Sequence, residues 1–438
     1  MTTITHSPHQ HRPGSIRAAW SYPAFRLFFM GTGLSAVGSW MQSFTLPAYV
    51  DDRTGSAGLV GLLFFMQLGP QLLLSLPAGV LADRVDRRRL MIAMQLTMLA
   101  LSVVIAFAVW RDLPLWTLFV LQALIGIANT VNSPALSSAM PMLVGRADLP
   151  GAISLNSAML NGSRILGPAL AALLAWWGFG VAGLLLVNAG TFLFLIFPLL
   201  VVDLPRTTSV TQDRSPFRAL VTGLGIARRR AVLRRSMIAM SLFSIISLPY
   251  VGLFPSIARM NWDVAATSGT YKAVYIVWGL GAFAGALSVG SIFRAIDKRR
   301  LVQLGFVAFS VSLATFALVP SVDWAYPVGA VLGFSYFVVA TSLASLVQQN
   351  LADNERAATM PVWFMSFGGS VPVGLVIAGP IMDAYGATAV LLVGAGFALA
   401  LAGWIGLDKL TANDFLPVDM GGEQFRPVGP FGLPSTVN

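Results

Sequence analysis

Cysteine is absent from the 438 residues, so no disulfide, thiol nucleophile or thiolate-held metal can form. Charge is scarce as well. Asp, Glu, Lys and Arg make up 11% of the chain, against roughly 25% in an ordinary soluble protein. Only two glutamates occur, Glu355 and Glu423. The few lysines follow Tyr271, Asp297 and Asp408, so no Gly-Lys pair exists from which a phosphate-cradling P-loop could be built. The histidines His6, His9 and His11 crowd the amino-terminal tail, and none is placed to relay protons through an apolar run. No catalytic constellation emerges from this inventory. Neither an enzyme, a metal site nor a cofactor is expected.

What is plentiful is apolar sequence, at 56% of residues. A membrane-spanning helix needs about 20 mostly apolar residues. Twelve such stretches occur, at roughly 26–49, 58–82, 90–110, 114–136, 152–175, 181–202, 236–257, 270–293, 301–320, 324–347, 361–383 and 388–407. They are expected to run as helices, because lipid offers no hydrogen-bond partner to an open backbone. They lack the alternation of barrel strands. An all-α integral membrane fold follows, with two six-helix bundles at 26–202 and 236–407. Residues 1–25 are polar and lack the apolar core and cleavage site of a secretion signal. They read as a disordered cytoplasmic tail, as do the Pro/Gly-rich residues 408–438. Between the bundles, 203–235 is the longest polar interruption, and from Pro216 onward Phe217, Leu220, Leu224, Ala227 and Ala231 repeat at helical spacing. This is either an amphipathic helix on the membrane face or a solvated linker.

The basic residues are distributed unevenly. With the amino terminus inside, 23 of the 28 fall in inner segments and only Arg53, Arg111, Arg259 and Lys272 outside, while Arg164 falls within a span. That asymmetry predicts both termini on the cytoplasmic side of a bacterial inner membrane. The net charge of +10 is then accounted for by topology and by attraction to anionic membrane lipid, with no nucleic-acid partner.

The chain also repeats itself. Residues 79–90 read Gly-Val-Leu-Ala-Asp-Arg-Val-Asp-Arg-Arg-Arg-Leu, and 290–301 read Gly-Ser-Ile-Phe-Arg-Ala-Ile-Asp-Lys-Arg-Arg-Leu. A repeat of half the chain, made of hydrophobic spans, is how many transporters are built, with the substrate path between two related bundles. Twelve spans, a six-plus-six split, a basic central loop and this repeated loop together resemble the major facilitator superfamily. Its signature G-x-x-x-D-R-x-G-R-R is met by Gly79, Asp83, Arg84, Arg87 and Arg88, with Asp86 in place of the second glycine. The resemblance implies an inner gate there: Gly79 would let helices approach closely, and Asp83 would face a helix N-terminus. The second copy carries Arg294 where the first has Asp83.

Gly38-Ser39-Trp40-Met41-Gln42, Thr54-Gly55-Ser56, residues 149–168 and Gln348 to Arg356 are similar to enterobactin-exporter-like facilitators, the transmembrane secretion effector group. After Arg356 that group usually continues Arg-Gly-Arg, and here Ala357 and Ala358 follow. The resemblance implies export of a small hydrophobic or anionic molecule, such as a siderophore or drug. The mechanism would be alternating access, driven by proton antiport in a monomer. A metabolite importer on the same fold, or a lysolipid flippase, are the alternatives. Ser163, Gly167 and Pro168, followed by Ala171 and Ala172, resemble the antiporter motif G-x-x-x-G-P-x-x-G-G.

Polar groups in a span cost free energy unless they face protein or water. Ser157, Asn161, Arg164 and Pro168 share one face of the fifth span; Gln122, Gly126, Asn129 and Ser133 share one face of the fourth. Gln67 and Gln71 lie a turn apart in the second, and Gln42 neighbours Trp40 in the first. These faces are candidates for lining a central cavity. Arg164 sits near mid-membrane, either as a binder of anionic or electron-rich substrate, as a partner in coupling, or as a structural cation bonded to carbonyls or Asn161. No Asp or Glu lies near the middle of any span, which argues against dedicated cation export. Asp51 and Asp52 are the candidates for carrying the proton, because adjacent carboxylates at a half-buried helix end would repel one another.

Overall fold

The computed structural model describes residues 11–202 and 216–407; the side chains of Leu76, Asp83, Asn161, 216–220, Asp353, Asn354 and Ala357 lie outside the described set. The expected tails at 1–10 and 408–438 and part of the central loop, 203–215, also lie outside it. Every regular element among the described residues is helical. Ten helices among the described residues are long and apolar enough to cross a membrane.

The first bundle holds spans 1 to 6: Pro23–Thr54, Ala57–Arg84, Arg87–Trp110, Leu115–Ala139, Leu149–Trp176 and Val181–Val201. In the second, span 7 is broken into Ala231–Ile246, Pro249–Gly252 and Phe254–Trp262. Pro249 and Pro255 each lack the amide hydrogen that a continuous helix needs. Spans 8, 9 and 10 are Gly269–Gly290, Lys298–Leu318 and Val322–Gln349. Span 11 runs from Asp353–Phe364 through a π-helical turn, Met365–Gly369, into Ser370–Tyr385, and span 12 is Ala387–Trp404. Spans 1 and 7 join the ten apolar helices to make twelve. The end at which Ile16–Trp20 enters and Trp404 leaves is called the near end; the opposite end carries Asp51, Asp112, Arg259 and Asp383 and is the far end.

The repeated loop does the same local work in both halves. The Asp86 carboxylate accepts a bond of 2.8 Å from the Arg89 amide and starts span 3. Asp297 accepts one of 2.9 Å from the Arg299 amide and starts span 9. Each is a helix N-cap that satisfies an otherwise unpaired amide. So the residue that replaces the signature's second glycine has a definite function here.

Glycine sets how closely the spans meet. A Cβ at Gly281 would lie 2.0 Å from the Ala330 carbonyl oxygen, and one at Gly285 would lie 2.3 Å from that of Phe334. Spans 8 and 10 therefore pack backbone to backbone, without a side chain between them. Between the bundles, a Cβ at Gly61 would lie 2.4 Å from the Leu375 oxygen, and one at Gly379 would lie 2.6 Å from that of Ala57. Spans 2 and 11 form this seam.

The segment Pro216–Arg229 is a helix. A Cβ at Gly223 would come within 2.0 Å of the Ala358 oxygen, so the helix lies directly against the start of span 11. The Arg230 guanidinium at its end donates to both Glu355 carboxylate oxygens, at 2.6 and 2.7 Å, and to the Asn350 carbonyl at 2.8 Å. That bidentate grip holds the Glu355 carboxyl below the usual carboxylate range.

Two tests follow from this packing. Gly285→Val should abolish accumulation of folded protein in the membrane, whereas Gly396→Ala, at a position with nothing within 4 Å of the added carbon, should not; fluorescence-detected gel filtration reads both. Glu355→Gln should lower stability at pH 7 by roughly 1–3 kcal/mol. A depressed carboxyl stabilises above its unfolded pKa and loses that contribution as pH falls through its folded value, so the difference from the parent should begin to shrink below about pH 4 and vanish once the folded carboxyl is protonated. Thermal unfolding across that range measures it.

Candidate functional site

The described hydrogen bonds that join the two bundles gather at the far end. Asp51 of span 1 has no solvent exposure. Its carboxylate accepts from Ser256 Oγ at 2.5 Å and from Arg259 Nε and Nη2 at 2.9 and 3.2 Å, all from span 7. Asp52 accepts from the amides of Ala266 and Thr267, at 2.8 and 3.0 Å, and from the Thr267 hydroxyl. Asp383 of span 11 accepts from Ser56 Oγ and from the Ala57 and Gly58 amides, at 2.7 to 2.8 Å. Those amides form the N-terminus of span 2, where the helix dipole favours an anion. Asp51 and Asp52 were expected as a mutually repelling pair. That premise is corrected: neighbours on a helix point about 100° apart, and each carboxylate has its own partners.

The near end is organised differently. A Cβ at Gly79 would meet nothing within 4 Å, so the close helix approach expected there is absent from this conformation. Arg84 is exposed. Arg87 is buried, with Nη1 3.2 Å from Met142 Sδ and Nε without a hydrogen-bond partner among the described residues. Arg88 donates to the Leu200 carbonyl. These described contacts of Arg87 and Arg88 lie inside the first bundle. The Asp83 side chain lies outside the described residues.

The polar candidates divide into two groups. Gln42 and Gln122 are buried, and Gln42 Nε2 donates to Gln122 Oε1 at 3.1 Å. Gln42 Oε1 accepts from Ser102 Oγ at 3.1 Å and from Asn188 Nδ2 at 2.6 Å. Spans 1, 3, 4 and 6 thus meet on one amide inside the first bundle. This corrects the expectation that Gln42 and Gln122 line a cavity: in an apolar interior their hydrogen bonds are better made to each other. Gln67 donates to Ser43 Oγ at 2.7 Å. Gln71, Asn129 and Ser133 are exposed, so these faces of spans 2 and 4 remain open. The Asn161 side chain lies outside the described residues.

The antiporter-like stretch carries out helix packing. Ser163 and Pro168 are buried, and a Cβ at Gly167 would lie 2.6 Å from the Trp40 Cβ. Span 5 is thereby pressed onto span 1, and Arg164 comes to Trp40. Its guanidinium carbon stands 5.1 Å from the Trp40 ring centroid and 5.8 Å from that of Phe337 in span 10. Arg164 is half-buried. Among the described residues it has no carboxylate or hydrogen-bond partner.

Toward the far end of this cation lies a group of aromatic side chains. Tyr271, Tyr275 and Trp278 follow one face of span 8, and Phe44 of span 1 stacks on Tyr271 at 5.2 Å between centroids. Trp278 stacks parallel to Tyr336, which touches Phe337 at 4.6 Å. The i, i+4, i+7 spacing of the three span 8 residues was visible in the sequence, though the pairing with Phe44 across the bundles was not.

Twelve spans in two bundles, hydrogen-bonded to each other at the far end and holding a cation in the middle of span 5, define a membrane transporter of the major facilitator type. The chain belongs to the transmembrane secretion effector family, whose model matches residues 15–417. It is 24% identical over 380 residues to macrolide efflux protein A of Streptococcus pyogenes, covering 83% of this chain and 90% of that protein. It is 25% identical over 347 residues to the enterobactin exporter EntS of Salmonella typhi, covering 78% and 80%. Among solved structures, the nucleoside transporter NupG (D323A mutant) matches with a TM-score of 0.70 at 13% identity, over 87% of this chain and 98% of that one. A bacterial homologue of the lysosomal transporter Spinster, inward-facing and unoccupied, matches at 0.66 and 14% identity, over 87% and 95%. At such identities these likenesses concern the fold.

The division of the polar residues makes a prediction. Gln42→Leu leaves Ser102, Gln122 and Asn188 short of a partner and should cost about 1–2 kcal/mol of stability. Gln71→Leu, at an exposed position, should leave the unfolding midpoint unchanged. Thermal unfolding of the two purified variants compares them.

Proposed function

We propose that this protein exports a small hydrophobic or anionic molecule by alternating access, with proton movement in the opposite direction. The observation that carries the reading is the one-ended clasp. Asp51, Asp52 and Asp383 tie the bundles together at the far end, while at the near end Gly79 has open space beside it and the described hydrogen bonds of the signature loop fall within the first bundle. Export requires that the near end open to the cytoplasm, which agrees with the concentration of basic residues there. The relatives named for macrolide efflux and for enterobactin export move their cargo outward.

Asp51 is the residue on which proton coupling rests in this proposal. A proton on its carboxylate removes the charge that holds Arg259, and with it the main interbundle ion pair. The far end is then free to part and the near-end loop to close, with Asp83 and the arginines engaged.

Export is tested by retention of a catechol siderophore, a macrolide and a cationic dye in pump-deficient cells expressing this chain, with and without a protonophore. Lower retention of the siderophore or macrolide, reversed by the protonophore, is expected. Higher retention would make the protein an importer, and unchanged retention together with lysolipid movement in vesicles would replace the proposal with a flippase. The absence of cysteine permits a direct test of the clasp. Ala48, buried beside the far-end junction, should become reactive to an impermeant maleimide as Ala48→Cys once Asp51→Asn is added. Equal labelling with and without Asp51→Asn would remove Asp51 from the mechanism.

A further inference from the structure

Arg164 is a cation in the middle of a span, and the middle of a span is the most expensive place for one. A charge there is tolerated only when protein groups or water compensate it. The described compensation consists of two aromatic faces, Trp40 at 5.1 Å and Phe337 at 5.8 Å, which attract the charge but accept none of its hydrogen bonds in the way a carboxylate would. No carboxylate among the described residues pairs with it, and the chain has no mid-span acid to supply one. The guanidinium is therefore left with hydrogen-bond donors to spare, arranged in the planar fork that matches a carboxylate or similar oxyanion.

The surroundings select further. Tyr275 and Tyr336 lie within electrostatic reach of Arg164, and Phe337, Tyr336 and Trp278 continue from it as one run of rings. Flat ring surfaces favour a flat partner, in stacked or edge-to-face contact. Trp40 belongs to the first bundle and Phe337 to the second. A molecule placed between them would touch both moving halves.

From this we infer that the site at Arg164 takes an aromatic organic anion, its ring between Trp40 and Phe337 and its negative group on the guanidinium. The inference rests on the proposed export function for its physiological meaning, but the binding it describes stands apart from transport. A neutral aromatic molecule keeps the ring contacts and loses the ion pair. An aromatic cation meets Arg164 with no carboxylate to offset it, and is rejected.

Equilibrium dialysis of the purified full-length protein in detergent tests this, with 2-naphthoate, 2-naphthamide and 2-naphthylmethylammonium as probes. A charge-assisted contact of the usual strength corresponds to roughly tenfold or more in affinity, so naphthoate should bind at least about that much more tightly than the amide, and the ammonium should not bind. Arg164→Ala should abolish the preference for naphthoate over the amide, and Arg164→Lys should retain part of it. Phe337→Leu should weaken naphthoate and amide alike. Thermal unfolding of each variant confirms that it is folded. Equal binding of naphthoate and naphthamide, or a preference that survives Arg164→Ala, would overturn the assignment and leave the export proposal standing. Arg164-dependent binding without any export of aromatic anions from cells would sustain the site and overturn the export proposal instead.

Discussion

Asp51 brings a carboxylate from span 1 to a place with no solvent exposure, and Ser256 and Arg259 of span 7 surround it. A charge removed from water is tolerated only when paired and hydrogen-bonded, so this contact requires both bundles at once. The other described interbundle hydrogen bonds gather in the same region, where Asp52 faces the approach to span 8 and Asp383 faces the start of span 2. Closure at that end sets the rest of the arrangement. Arg88 of the signature loop reaches the Leu200 carbonyl of its own bundle, and Phe44 lies against Tyr271.

The two halves are alike in their local chemistry and unlike in their charges. Asp86 and Asp297 cap corresponding helices in corresponding loops. Seven positions separate each from the glycine that opens its copy of the repeat, so the similarity is one of structure as well as letters. Yet Arg294 stands where the first half has Asp83. The first half's loop is thus equipped with an acid that its counterpart lacks, and any ionic closure at the near end must draw unequally on the two bundles.

The fold was legible because lipid permits so few solutions. Long apolar runs must be helices, and twelve of them were countable from hydropathy alone. The breaks in span 7 were not, since Pro249 and Pro255 interrupt the backbone without interrupting the apolar run. The site was legible only in part. Arg164 and the small residues of span 5 stood out as polar or packing features. The use of Gln42 did not, because its partners Ser102, Gln122 and Asn188 lie on three other spans and no spacing rule connects them. Arg259 and Asp383 were overlooked for the same reason: a residue near a helix end looks like loop chemistry until its partner, some 208 positions away in the case of Asp51 and Arg259, is known.

Span 11 has two neighbours to satisfy. Its first part, at Ala358, carries the helix Pro216–Arg229, and its later part, at Leu375 and Gly379, carries span 2. Between them lies the π-helical turn at Met365–Gly369, which takes up one residue more than an α-helical turn. That extra residue rotates the downstream side chains by about 100° relative to a helix of uniform pitch. The turn therefore works as a phase shifter. It lets one continuous rod present different faces to two partners, and deleting a single residue within it would put one of the two interfaces out of register while leaving the hydropathy of the span almost untouched.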